Sequence, residues 1–201
     1  MLAVFDLDGT IIDSARAILE SHEAAWASIG VERPAKDDIL NLTGLPLIKI
    51  MQKLGPEHDP VALAEVYSKT YVKATRHERL FEGITDLLAR PFRAAVATGK
   101  SQRGADRVIE EFGFSDRFEV VLGGNSVSKP KPNPDLLFSI MEKTGTKDIV
   151  MIGDTTYDLE MAHAAGVKGI GVSWGHHTSE ELSKWAPVVD SVEELGLLLK
   201  V

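Results

Sequence analysis

Two pairs of aspartates are the residues whose spacing first suggests chemistry. Asp6 and Asp8 close a short apolar run, Leu2-Ala3-Val4-Phe5, and are followed by Gly9 and Thr10. In a continuing strand they would share one face and put both carboxylates at one strand end. Like charges so close repel unless a cation neutralises them. Mg2+ takes a few carboxylates together with water and phosphate oxygen, which suits this spacing. Asp6 could then attack phosphorus as a covalent nucleophile. Asp8 could give a proton to the leaving oxygen and later activate water. The competing reading is an Asp-rich turn in which Gly9 supplies backbone freedom. Asp154 and Asp158 stand at the start of a candidate helix, four positions apart, so both face one spot. Otherwise Asp154 is a cap and Asp158 a solvated charge.

Smaller polar groups surround these pairs. Thr98 and the N–H of Gly99 could bind phosphate oxygens at a helix N-terminus, or Thr98 could be an ordinary cap. Lys100 could reach a substrate or face water. Arg16 and the turn Thr43-Gly44-Leu45-Pro46 are candidates for substrate contact; an ordinary surface arginine and a helix–helix turn are the alternatives. His176-His177 read as a solvated loop or a site rim, and the tryptophans as packing residues.

These residues need a frame. Apolar runs predict strands over Leu2–Phe5, Arg93–Ala97, Phe118–Leu122, Ile149–Ile152 and Gly169–Val172. Helical patterns alternate with them after residue 81, which indicates an α/β fold with a parallel sheet covered on both faces. Ligands bind such sheets beyond the carboxyl ends of the strands, where Asp6, Thr98 and Asp154 fall. Ser14 could cap a first helix that Gly30 ends. Thr178 with Glu181, and Ser191 with Glu194, have capping-box spacing. The stretch 14–80 is helical throughout, with its longest helix near Val61–Arg76. It interrupts the alternation as an inserted subdomain, leaving 1–13 and 81–201 as the core.

Taken in order, Asp6-Leu7-Asp8-Gly9-Thr10, Thr98-Gly99-Lys100, Lys129-Pro130-Lys131-Pro132-Asn133-Pro134 and Gly153-Asp154-Thr155-Thr156-Tyr157-Asp158 resemble the four motifs of the haloacid dehalogenase superfamily. The helical insert resembles the cap of its phosphoglycolate phosphatase and β-phosphoglucomutase branch. The resemblance spans the chain. It implies a Rossmann-like core with strand order fifth, fourth, first, second, third. It implies Mg2+ held by Asp6, Asp8 (through its backbone carbonyl), Asp154 and Asp158. It also implies a catalytic lysine that balances the transferring charge, and the spacing resembles the family best with Lys129 in that place and Lys131 as its rival. Gly99 departs from the asparagine often found there, which matters little if the backbone N–H does the binding. The expected activity is hydrolysis of a small phosphomonoester, phosphoglycolate-like or a sugar phosphate, through an aspartyl-phosphate. A phosphomutase, a dehalogenase and a phosphate-binding module without turnover are the rivals.

Composition narrows the rest. The chain has 201 residues, 44% hydrophobic and 26% charged, an ordinary globular balance. It has no apolar run long enough to span a membrane, and its first residues do not read as a signal peptide. Without cysteine, disulfides and thiolate metal sites are excluded, and a reducing cytoplasm fits. The formal net charge of -8 disfavours nucleic acid as a partner. A small anionic substrate would need local cations or backbone N–H groups.

Overall fold

The first strand, β1 (Leu2–Phe5), is buried along its whole length, because a central parallel strand is covered on both faces and so reads as an unbroken apolar run. The structure, a computed structural model, describes residues 1–201. After β1 come a short strand β2 (Ile12–Asp13) and four helices: α1 (Ala15–Ala27), α2 (Lys36–Leu40), α3 (Leu47–Leu54) and α4 (Pro60–Ala74). A second short strand, β3 (Arg79–Leu80), and α5 (Ile84–Leu88) lead back to β4 (Arg93–Ala97). The alternation then runs α6 (Gln102–Glu111), β5 (Val121–Leu122), α7 (Asp135–Thr144), β6 (Ile149–Gly153), α8 (Thr156–Ala165) and β7 (Lys168–Val172). It closes with α9 (Ser179–Leu182), β8 (Val188–Val189) and α10 (Val192–Leu199).

Six strands form one parallel sheet in the order β5-β4-β1-β6-β7-β8. This is the order the resemblance implies, extended by β8 beyond β7. Phe5 pairs with Val96 on one side and Ile152 on the other, so Asp6, Thr98 and Asp154 leave the sheet together. Neighbouring connections diverge at this point, which opens the crevice where open α/β sheets bind ligands. Alternate residues of β1 go to opposite faces: Ala3 and Phe5 pack with Val96, Ile152 and Leu195, while Leu2 and Val4 pack with Leu137 and Met151.

Local sequence explains the element ends, with some differences. α4 is the longest helix, started by Asp59, whose Oδ1 accepts from Val61 and Ala62, and by Pro60 in the first turn. Ser14 makes no capping bond to α1; the Asp13 carboxylate accepts from the Ala15 N–H instead. Thr178 and Glu181 form the full reciprocal box. Ser191 accepts from Glu194, whose own carboxylate turns to Asp190. β5 keeps only Val121 and Leu122 of the strand predicted over Phe118–Leu122, and Phe118 is buried edge-on against Phe114. β2 and β3 pair antiparallel, Ile12 with Leu80 and Asp13 with Arg79, so the two chain passages to and from α1–α4 lie side by side. No helix is long and apolar enough to cross a membrane.

Candidate active site

Asp6 follows the last residue of β1 and is fully buried. Its Oδ1 accepts from the Leu7 N–H at 2.7 Å and lies 3.1 Å from Lys131 Nζ. Its Oδ2 has no partner in the protein. The strand does not continue to Asp8. The chain turns tightly, with the N–H groups of Ile11 and Ile12 both donating to the Leu7 carbonyl. Gly9 has φ +81, and a Cβ there would stand 2.1 Å from Asp154 Oδ2, so the turn requires glycine on both counts. The turn sends the Asp8 carboxylate to Lys100 Nζ, 3.1 Å away. Burial alone would raise the Asp8 pKa, but Lys100, Ser14 and His176 together outweigh it and hold the group below the ordinary carboxylate value.

Asp154 and Asp158 meet Asp6 from the end of β6 and the first turn of α8. Asp154 accepts from the Thr10 hydroxyl at 2.9 Å and from the His176 N–H at 2.9 Å. Asp158 accepts from Lys131 at 2.5 Å and from the Thr155 hydroxyl at 2.7 Å. Glycines make room: a Cβ at Gly153 would lie 2.3 Å from Asp158 Cγ, and one at Gly175 2.2 Å from Asp154 Cβ. One oxygen from each of Asp6, Asp154 and Asp158 lies within 4.8 Å of the others. Lys131 is the one cation paired with this set, and it reaches only Asp6 and Asp158. Burial pushes Asp6 up to about 6, against Lys131 and with help from Asp158 and Asp8. Burial likewise raises Asp154. A set of hard oxygen donors short of positive charge, one of them unpartnered, fits a divalent cation such as Mg2+. The Asp8 side chain is outside this set; the expectation of Asp8 as a metal ligand is left with its backbone carbonyl alone.

The lysine at Asp6 is Lys131, which corrects the expectation of Lys129. Lys131 is fully buried between Asp6 and Asp158, whereas Lys129 is exposed and forms no ion pair. The cause is local. Asn133 donates from its backbone and side chain to the Pro130 carbonyl, closing a turn that sends Lys131 inward. Burial would lower the Lys131 pKa, but Asp158 and Asp6 raise it further, so it stays charged.

Thr98 is buried, and its hydroxyl accepts from the Lys100 N–H at 3.3 Å. A Cβ at Gly99 would stand 2.1 Å from the Gly44 carbonyl oxygen. The two glycines therefore let the α2–α3 turn touch the turn after β4. Thr43 is buried there, and Gly44, with φ +102, also faces Thr155. Arg16 is not at the site: it is exposed beside Glu20, Glu23 and Arg33 in a separate surface depression, because it lies on the side of α1 opposite its buried face of Ile18, Ser21, His22 and Ala25. His177 is buried rather than solvated, accepting from the Thr156 N–H at Nδ1 and meeting the Asn41 carbonyl at Nε2.

Two site neighbours left no trace in the sequence. Glu78 is buried in the return passage from α4 and accepts from Tyr71 at 2.6 Å and from Arg107 at 2.8 and 3.0 Å. Tyr71 in turn accepts from Lys100 Nζ at 3.0 Å. In the sequence His77-Glu78-Arg79 looks like any solvated charge run, and only the fold brings Arg107 to it. A cavity of about 740 Å3 opens from Asp8 and Lys100 between the sheet and helices α1, α3 and α4.

A family model described as haloacid dehalogenase-like hydrolase matches residues 3–172. Among curated relatives, a protein of Dickeya dadantii named "probable phosphatase IndB" is 32% identical, covering 96% of this chain and 91% of its own. The tyrosine-protein kinase PtkA of Mycobacterium tuberculosis is 30% identical over 94% of this chain and 67% of its own. Among solved structures, the haloacid dehalogenase-like family hydrolase SP0104 of Streptococcus pneumoniae superposes with a TM-score of 0.87 at 22% identity, covering 98% of this chain and 97% of that one.

Proposed function

The chain belongs to the haloacid dehalogenase-like hydrolase family and is a phosphoric monoester hydrolase; from that premise we propose that it is a Mg2+-dependent phosphatase of small molecules that works through a phosphoryl group carried on Asp6. The observation that most supports this is the state of Asp6. One oxygen is held by Leu7 and Lys131, and the other is buried without a partner at the switch point of the sheet.

Asp6, Asp154 and Asp158, with the Asp8 carbonyl, would hold the Mg2+, which when bound supplies positive charge to the phosphate oxygens. In the first half-reaction an Asp6 oxygen bonds to phosphorus and the bond from phosphorus to the substrate oxygen breaks. Asp8, ionised beside Lys100, takes the proton that a monoanionic ester brings in and gives it to that oxygen, so the alcohol leaves neutral. Asp8 then takes a proton from water, the hydroxide oxygen bonds to phosphorus, and the bond to Asp6 breaks, releasing inorganic phosphate. Lys131 balances charge on Asp6 and on the transferring group throughout. Thr98 and the Gly99 N–H hold phosphate oxygens. Lys100 orients Asp8, to which it is already paired.

In this reading residues 14–80 form a cap on a core of 1–13 and 81–201, hinged at the β2–β3 pair, and its closure excludes bulk water during the second step. A screen for phosphate release over a panel of metabolite phosphates, with Mg2+ and with EDTA, tests the proposal. Metal-dependent release supports it. Return of the phosphoryl group to a sugar, or its transfer to a protein, with no free phosphate would contradict it.

A further inference from the structure

The cavity meets the candidate site at Asp8, Gly99 and Lys100, and the rest of its surface differs in kind. A volume of about 740 Å3 is in the range of pockets that enclose drug-sized ligands, more than a small hydroxy acid needs. Its cations are already engaged. Lys100 pairs with Asp8 and bonds to Tyr71, Arg107 grips Glu78 and Glu111, and Lys69 lies 3.8 Å from Glu65. Only Arg103 lines the cavity without an acidic partner, exposed at the rim.

The apolar groups are the uncommitted ones. Ile48 on α3 is 38% exposed and Val72 on α4 is 64% exposed, and both line this cavity. Nothing in the chain covers them, and exposed apolar side chains gathered at a concave surface mark a binding site. Beside them Tyr67 and Tyr71 stack with centroids 5.5 Å apart, and His22 meets Tyr67 edge-on at 5.0 Å. Burial, with Arg33 adding to it, pushes His22 down to about 4, so it is neutral at pH 7. Its Nδ1 has no partner in the protein. The surface open to the leaving alcohol is thus aromatic, aliphatic and largely uncharged.

We infer that the alcohol esterified in the substrate carries a bulky apolar or aromatic group, held against Ile48, Val72 and Tyr67. The enzyme then prefers phosphomonoesters with such a group over small hydroxy-acid phosphates. This rests on the phosphatase reading. The reaction is ordinary hydrolysis: the bond from phosphorus to the ester oxygen breaks, water supplies the replacing oxygen, and the alcohol leaves with its apolar group intact.

The test compares kcat/KM for 2-phenylethyl phosphate, ethyl phosphate and phosphoglycolate with the full chain and Mg2+, by phosphate release. All three are alkyl esters, so leaving-group acidity does not dominate the comparison. The expected result is a preference of at least ~10-fold for the phenylethyl ester, equivalent to ~1.4 kcal/mol. Val72→Asp and Ile48→Asp, both at exposed helix positions, should each reduce that preference to about threefold or less, mainly through KM. Equal or lower kcat/KM for the phenylethyl ester, preference for phosphoglycolate, or a preference untouched by both substitutions would overturn the inference while leaving the phosphatase reading standing. No phosphate from any ester would fail the phosphatase reading itself, and the inference with it.

Discussion

An ammonium with no exposure, set between two carboxylates, has little freedom to be anything but part of the site. Removing Lys131 would leave Asp6 and Asp158 crowded without their counter-charge in a desolvated place. Lys131→Ala is therefore expected to lose ~100-fold or more in kcat, the scale of deleting one electrostatic stabiliser. Lys129→Ala, at an exposed position, should stay within about twofold. Steady-state kinetics on both, with folding checked by circular dichroism, decides; the reverse order would move the role to Lys129. The aspartates could be picked out from sequence because clustered carboxylates need a cation or a proton to coexist. The choice of lysine could not. Both precede a proline, and although the turn from Pro130 to Asn133 is local, the carboxylates that receive Lys131, on Asp6 and Asp158, are brought to it only by the fold. Glu78 was hidden for the same reason: nothing near it in the chain shows that Arg107 and Tyr71 will meet it.

At the scale of elements, the contact between the α2–α3 turn and the turn after β4 is set by two glycines. Gly99→Ala would put a methyl group onto the Gly44 carbonyl, 2.1 Å from its ideal place. Backbone cannot yield as a side-chain tip does, so the turn must move. Activity should fall by ~10- to 100-fold through misplacement of groups at the site, and an unchanged kcat/KM would show that the contact plays no part in turnover. α1 carries a pH-dependent weight of its own. His22 is pushed down to about 4 in the folded chain by burial and by Arg33, against ~6.5 unfolded. Its neutral packing contributes fully above pH ~6.5, and the contribution is lost as pH falls towards 4, because only the unfolded chain takes up the proton. The term is at most ~3 kcal/mol. His22→Phe should flatten the fall in Tm between pH 6.5 and 4.5; a parallel fall in both proteins would remove His22 from the acid response. The central strands could be read in advance, since buried parallel strands are unbroken apolar runs. β8 could not: Val188 and Val189 are too few to register a period and pair only because β7 offers them an edge.

The whole molecule carries a formal charge of -8, and three of its carboxylates are buried within 4.8 Å of one another. A cation that binds the folded chain and not the unfolded one stabilises it by mass action, ~2.7 kcal/mol at a hundredfold excess over Kd. For a chain of this size, Mg2+ should raise Tm by roughly 5–10 °C, and Asp154→Ala should abolish the rise. An equal Tm with and without Mg2+, with full activity after exhaustive chelation, would remove the metal from the site. Most direct of all is whether Asp6 itself carries the phosphoryl group. Protein turning over a radiolabelled phosphomonoester with Mg2+ is quenched in acid, and its peptides are separated. Label should be found on the peptide holding Asp6. It should be absent from an Asp6→Asn protein, whose turnover falls at least ~1,000-fold, about 4 kcal/mol of barrier. Label on another residue, or a folded Asp6→Asn protein that still releases phosphate at a near-normal rate, would contradict the assignment of Asp6 as the nucleophile.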